Sequence, residues 1–195
     1  MLSKVATKLT NRLLLSGVIS AEEEEIYIYG FELLLSFLFS TAVILAIGIA
    51  VQAVLPTIAF LAVFIVLRSY TGGFHARTYA VCSLVTFSVY GVVMLLSHFL
   101  TVGYIEYLVM GVIGVALLII FAPVKHPNKE LTAQDIKRNK IISVVVFILF
   151  LSAGVLLCLA DMYIESASIY FALVADLLLL FVKNRRKETE SNEDC

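Results

Sequence analysis

The sequence predicts an all-α, polytopic membrane protein with six transmembrane helices, an N-terminal amphipathic interfacial helix and both termini in the cytoplasm. Hydrophobic residues make up 61% of the 195 residues, and mean hydropathy is +1.00, well above the roughly 45–50% apolar content of soluble domains. The apolar residues gather into six runs that approach or reach the length needed to cross a hydrocarbon core of roughly 30 Å. All 14 basic residues then fall on one side of those six runs, the side that the Lys/Arg bias of membrane proteins makes cytoplasmic.

The elements follow in order. Residues 1–19 are too polar to span. Leu2, Val5, Leu9 and Leu13 mark one helical stripe beside Lys4, Lys8 and Arg12, a pattern suited to a helix lying in the headgroup layer. Ser20 with Glu23 resembles a capping box that starts a second helix. The spans are expected over 31–51, 53–67, 79–100, 104–124, 141–160 and 166–182. The second is short, which flanking residues or a thinner bilayer accommodate, and Pro56 lies near its start, where proline is best tolerated.

The basic residues test this plan. Lys4, Lys8 and Arg12 precede span 1, and Arg68 and Arg77 follow span 2. Lys125, Lys129, Lys137, Arg138 and Lys140 follow span 4, and Lys183, Arg185, Arg186 and Lys187 follow span 6. The alternate loops, around Gln52, around Gly103 and over 161–165, hold none. Residues 1–186 therefore read as a single membrane-embedded domain, with 1–19 the interfacial helix and 20–182 the six-span bundle. Residues 187–195, "KETESNEDC", read as a disordered cytoplasmic tail.

Composition also excludes. A net charge of −1 gives no sign of a nucleic-acid partner; the partner that the apolar composition implies is the lipid bilayer. The run "LLLSGVIS" is short, lacks a small-residue cleavage site and leads into four glutamates, Glu22 to Glu25, so the first inserting helix is expected to act as its own targeting signal. Cys82, Cys158 and Cys195 form no short-spaced pair, which argues against a disulfide framework or a zinc motif. No metal and no cofactor is expected.

One polar stretch interrupts the apolar plan. Residues 68–82 read "RSYTGGFHARTYAVC", placing Cys82 about one turn inside span 3 and His75 seven residues before it. A thiolate is a strong nucleophile once a base or a positive field favours it. On one straight helix the two side chains would share a face but lie about 10 Å apart along the axis, whereas proton transfer needs roughly 3 Å. Gly72 and Gly73 permit a fold-back over the helix end, and Thr78 could cap the third span. Cys82 would then sit near the positive end of the helix dipole and Arg77, with backbone N–H groups around the glycines as oxyanion donors. Set beside this, a Gly-Gly turn between spans is ordinary, cysteine is a common small apolar residue in helices, and an interfacial histidine is often only a hydrogen-bonded rim residue. Spacing and topology leave both readings open.

The same stretch resembles the signature of the accessory gene regulator B (AgrB) family of bacterial membrane cysteine peptidases, with its arginine, Gly-Gly pair, His-Ala step and cysteine seven residues after the histidine. "EEEEIYIYGFELLL" looks like the family's approach to span 1, and "FAPVKHPNKEL" resembles its Ala-Pro turn and basic loop. The resemblance implies an enzyme of the bacterial cell membrane, its active site at the cytoplasmic side, that processes an AgrD-like propeptide into a cyclic quorum-sensing peptide. Cys82 would be the nucleophile and His75 its general base and acid, with Arg68, Gly72 and Gly73 shaping the site. Attack would leave an acyl thioester, which a cysteine of the retained peptide closes to a thiolactone. Lys125 and Lys129 stand where family members carry basic residues, here separated by His126, Pro127 and Asn128; with Arg77 they are candidates for positioning substrate. A homodimer is also suggested by the resemblance.

A third catalytic member has no sequence signature. Glu32 and Asp176 could both reach the depth of Cys82, since ionisable residues within spans usually face protein or a cavity. Asp176 could equally be a packing or charge-pairing residue. The alternative to an enzyme is a non-catalytic membrane carrier or scaffold for an amphipathic peptide, and intact mass of an incubated propeptide separates the two.

Overall fold

The computed structural model describes residues 2–71, 79–123 and 132–193, and all its elements are helical. They are α1 (Leu2–Leu15), a 3₁₀ turn (Ala21–Glu23), α2 (Glu24–Ala50), α3 (Val54–Thr71), α4 (Tyr79–Phe99), α5 (Tyr104–Phe121), α6 (Ala133–Leu159) and α7 (Tyr163–Glu193). Six of them, α2 to α7, are long and apolar enough to cross a membrane, as the sequence predicts.

The bundle is built around α3 and α7. α7 packs against α3, α4, α5 and α6, and α3 against α2, α4, α6 and α7. About half of the apolar window of α7 and 44% of that of α3 are buried, against roughly a fifth for the other spans. In lipid, where the hydrophobic effect does not draw helices together, small side chains that let backbones approach select the central helices. α7 supplies Ser166, Ala167, Ser168 and Ala172, all buried.

Glycines make the closest contacts. Thr57 of α3 fills the space a side chain on Gly48 of α2 would need, and Phe147 of α6 does the same at Gly114 of α5. Gly111 also faces α6, with Leu151 3.6 Å from where its Cβ would lie. The Gly111 and Gly114 face of span 4 is thus used within one chain.

Helix ends differ from the apolar windows because the backbone ladder continues through polar residues until something stops it. α2 begins at Glu24 and α6 at Ala133, seven or eight residues before the apolar runs. Thr132 caps α6 by accepting from the Asp135 N–H at 3.2 Å, and Lys140 donates to the Ile119 carbonyl at the end of α5 at 2.7 Å, where a cation complements the helix dipole. α3 runs on to Thr71, which places Arg68 inside the helix rather than in the following loop. The helical backbone of α7 continues to Glu193, beyond the apolar run ending near Val182 and into the stretch from 187 expected to be disordered.

α1, α2 and α6 each close with a paired hydrogen-bond motif around a residue in the left-handed region. The residues are Gly17 (φ 70°), Gln52 (φ 57°) and Asp161 (φ 60°). In each, one N–H reaches back five residues and its predecessor reaches back three: Val18 to Leu13 and Gly17 to Leu14, Ala53 to Gly48 and Gln52 to Ile49, Met162 to Leu157 and Asp161 to Cys158. These bonds satisfy carbonyls that helix ends otherwise orphan. α1 packs along α2, with Ala6 and Thr10 fully buried and Val5 about half exposed. The protein-facing line is therefore one position from the stripe Leu2, Val5, Leu9 and Leu13.

Candidate active site

α3 ends and α4 begins at the same end of the bundle, and α2 stands opposite both. Between them lies a cavity of about 730 Å³, within the range of small-ligand pockets. Leu33, Phe37, Ile44, Leu61 and Phe64 make its apolar wall. Its polar side chains are Arg68 and Ser69 from α3, Cys82, Ser83 and Thr86 from α4, and Tyr29, Ser36, Ser40 and Thr41 from α2. Arg68 is the one charged side chain among the described lining residues.

Cys82 is the fourth residue of α4 and half-buried. Thr86, one turn on, donates to the Cys82 carbonyl at 2.9 Å. Ser83, the next residue, meets Ser40 of α2 with 2.9 Å between hydroxyl oxygens. The nucleophile candidate is thus carried on a turn joined to the opposite wall.

Arg68 lies in the last turn of α3 because the helix continues through "RSYT". Its guanidinium stands 4.9 Å from the Phe64 ring centroid, a stacking arrangement that suits a planar, delocalised cation. Its charge interacts with Asp176 and with Cys82. Asp176 comes from α7, is 5% exposed, and lies outside the cavity wall. The polar set therefore runs across three helices, from the buried carboxyl on α7 through the guanidinium on α3 to the thiol on α4.

Other sequence candidates lie elsewhere. Glu32 is on α2, between lining residues but outside the lining itself. Cys158 is buried near the opposite end of the bundle, its thiol directed at the Val102 carbonyl at 3.6 Å. His75, Gly72, Gly73, Arg77, Lys125 and Lys129 lie outside the described residues, as does Cys195. Sequence reasoning missed the α2 wall. Its signal was the hydroxyls of Ser36, Ser40 and Thr41 in a mostly apolar run, the first two four residues apart and so on one helix face.

A thiol near a guanidinium in a largely apolar cavity is suited to attack on a carbonyl, since the cation favours every anionic species along the way. Comparison with known proteins points to one family. The family model described as accessory gene regulator B matches residues 3–182. An AgrB-like protein 2 of Clostridium perfringens (strain 13 / Type A) is 28% identical over 144 residues, covering 67% of each chain. An AgrB-like protein of Clostridium perfringens (strain SM101 / Type A) is 30% identical over 144 residues with the same coverage. No solved structure matches the chain. A model match over nearly the whole length, on six helices able to cross a membrane, makes this a multi-pass membrane protein that belongs to the accessory gene regulator B family and so takes part in that quorum-sensing system.

Proposed function

We propose that the protein is a membrane cysteine endopeptidase that cleaves an AgrD-like propeptide through an acyl thioester on Cys82 and releases it as a thiolactone ring. The observation that carries this reading is the largely apolar cavity that Cys82 and the Arg68 guanidinium both line. His75 serves as general base and then acid, Gly72 and Gly73 help to shape the site, and residues 1–186 work as one peptidase domain at the cytoplasmic face.

The cavity gives the chemistry a physical reason to be in a membrane. Exchange of one thioester for another is nearly balanced in energy, so hydrolysis is the reaction to suppress. Apolar walls such as Leu33, Phe37 and Phe64 exclude water and prolong the intermediate. A cysteine within the retained peptide then attacks the thioester carbonyl, the new carbon–sulfur bond closes the ring, and the Cys82 thiolate leaves.

The test is intact mass of a propeptide incubated with purified protein in lipid. Wild-type protein is expected to yield a released tail and a product lighter than the linear fragment by one water. Cys82→Ala and His75→Ala are expected to yield neither. Full cleavage by Cys82→Ala would sink the peptidase reading, and saturable passage of an unaltered peptide would favour the carrier.

A further inference from the structure

Helical hydroxyls in this protein usually bond their own helix. Thr10, Ser69, Thr86, Ser97 and Ser143 each donate to the carbonyl four residues back, the nearest acceptor in apolar surroundings. Ser40 and Ser83 do otherwise. Their hydroxyl oxygens meet at 2.9 Å across α2 and α4, and among the described residues neither has another hydrogen bond. Two hydroxyls joined by one hydrogen bond hold two protons. One lies between the two oxygens, and either oxygen can carry the other.

That second proton sits at a meaningful place. Ser40 is buried and Ser83 half-buried, and both serines line the cavity that Cys82 lines. When Ser40 donates to Ser83, the second hydrogen is on Ser83, free to meet an acceptor that enters the cavity. We propose that Ser83, held by Ser40, donates this hydrogen to the oxyanion formed when the Cys82 thiolate attacks a substrate carbonyl. The assignment rests on Cys82 being the nucleophile.

In that step the sulfur lone pair forms the carbon–sulfur bond while the carbonyl π pair moves to oxygen, which accepts from the Ser83 hydroxyl. When the carbon–nitrogen bond breaks, its electron pair goes to nitrogen, which takes a proton from the general acid. The carbonyl re-forms as a thioester. Ser83 keeps its proton throughout, and Ser40 is a positioning residue.

The competing role for the pair is a staple between α2 and α4, and two probes of Cys82 in the full-length protein separate the roles. 4-Nitrophenyl acetate acylates through a tetrahedral oxyanion; iodoacetamide alkylates at a saturated carbon and forms none. Modification at Cys82 is followed by mass after digestion. Ser83→Ala is expected to slow acylation about 100-fold while alkylation stays within about twofold of wild type. Ser83→Thr, which keeps the hydroxyl, is expected to recover most of the acylation rate, and Ser40→Ala to fall between. Wild-type acylation by Ser83→Ala overturns the assignment, and so does an equal loss of both reactions, which marks a staple. Propeptide cleavage by Cys82→Ala would instead refute the underlying peptidase reading, so the two failures are distinguishable.

Discussion

The Arg68 guanidinium stands 4.9 Å from the centroid of the Phe64 ring, one turn back on the same helix. The ring backs the cation at the wall of the cavity that Cys82 also lines, and the buried Asp176 of α7 is its main charge partner. Arg68→Gln removes that charge and is expected to slow alkylation of Cys82 by iodoacetamide about 10-fold at neutral pH, corresponding to roughly 1.4 kcal/mol. Arg68→Lys keeps a charge but loses the planar stack, so it is expected to recover alkylation more than propeptide cleavage. Asp176→Asn acts through Arg68, and its effect combined with Arg68→Gln is expected to be less than the sum. Alkylation of Arg68→Gln at the wild-type rate would remove Arg68 from the chemistry.

Gly30 tests whether the cavity is where substrate sits. It lines the cavity, yet a Cβ built there meets nothing within 4 Å. A leucine at this position enters open space, and replacing a helical glycine gains up to about 1 kcal/mol of helix propensity. Gly30→Leu is expected to fold at least as stably as wild type, to admit iodoacetamide to Cys82, and to raise KM for the propeptide sharply. Unchanged KM would place substrate somewhere else.

The six spans were legible because apolar runs and Lys/Arg placement report on the bilayer, which acts on every residue of a span alike. Helix ends were less so: the windows stop where hydropathy falls, but α3 continues through Arg68 because "RSYT" contains no helix breaker. That small difference decides the site, since it turns Arg68 from a loop charge into a cavity wall. The Cys82 position was readable from a family motif. The α2 wall was not, because Ser36 and Ser40 become site residues only when α2 is set against α4, and which helices touch depends on small-residue packing that a single sequence does not order.

At the other end of the bundle, Tyr107 of α5 is 1% exposed. Its hydroxyl donates to the Ser166 carbonyl at 2.7 Å and meets the Ser166 hydroxyl at 2.9 Å. Ser166 in turn donates to the Gly154 carbonyl of α6 at 2.9 Å. A Cβ on Gly154 would fall 2.7 Å from Tyr107 Cε1, so Gly154→Ala must displace the ring and break this three-helix junction. It is expected to cost about 1–3 kcal/mol, more than Tyr107→Phe, which keeps the ring and loses a membrane hydrogen bond of about 0.6 kcal/mol. Unfolding by denaturant in mixed micelles measures both. The reverse order would mean that the hydrogen bonds, and not the close approach, hold the junction.

The turn between α1 and α2 has a pH dependence of known sign. The Glu23 carboxylate accepts from the Ser20 backbone N–H at 3.0 Å and from the Ser20 hydroxyl at 2.9 Å. The backbone donor first, then the hydroxyl, holds the Glu23 carboxyl below the usual glutamate range. A lowered folded-state pKa means that protonation opposes the folded turn: its contribution is complete above the ordinary value of about 4.3 and is lost as pH falls through the folded value. A spin label on Val18→Cys, an exposed position in the turn, in a background with the three native cysteines replaced, is expected to become more mobile between about pH 5 and 3. Glu23→Gln is expected to show the mobile spectrum already at neutral pH and little change across that window. A wild-type spectrum constant from pH 5 to 3 would mean that packing of α1 on α2, and not this carboxylate, fixes the turn.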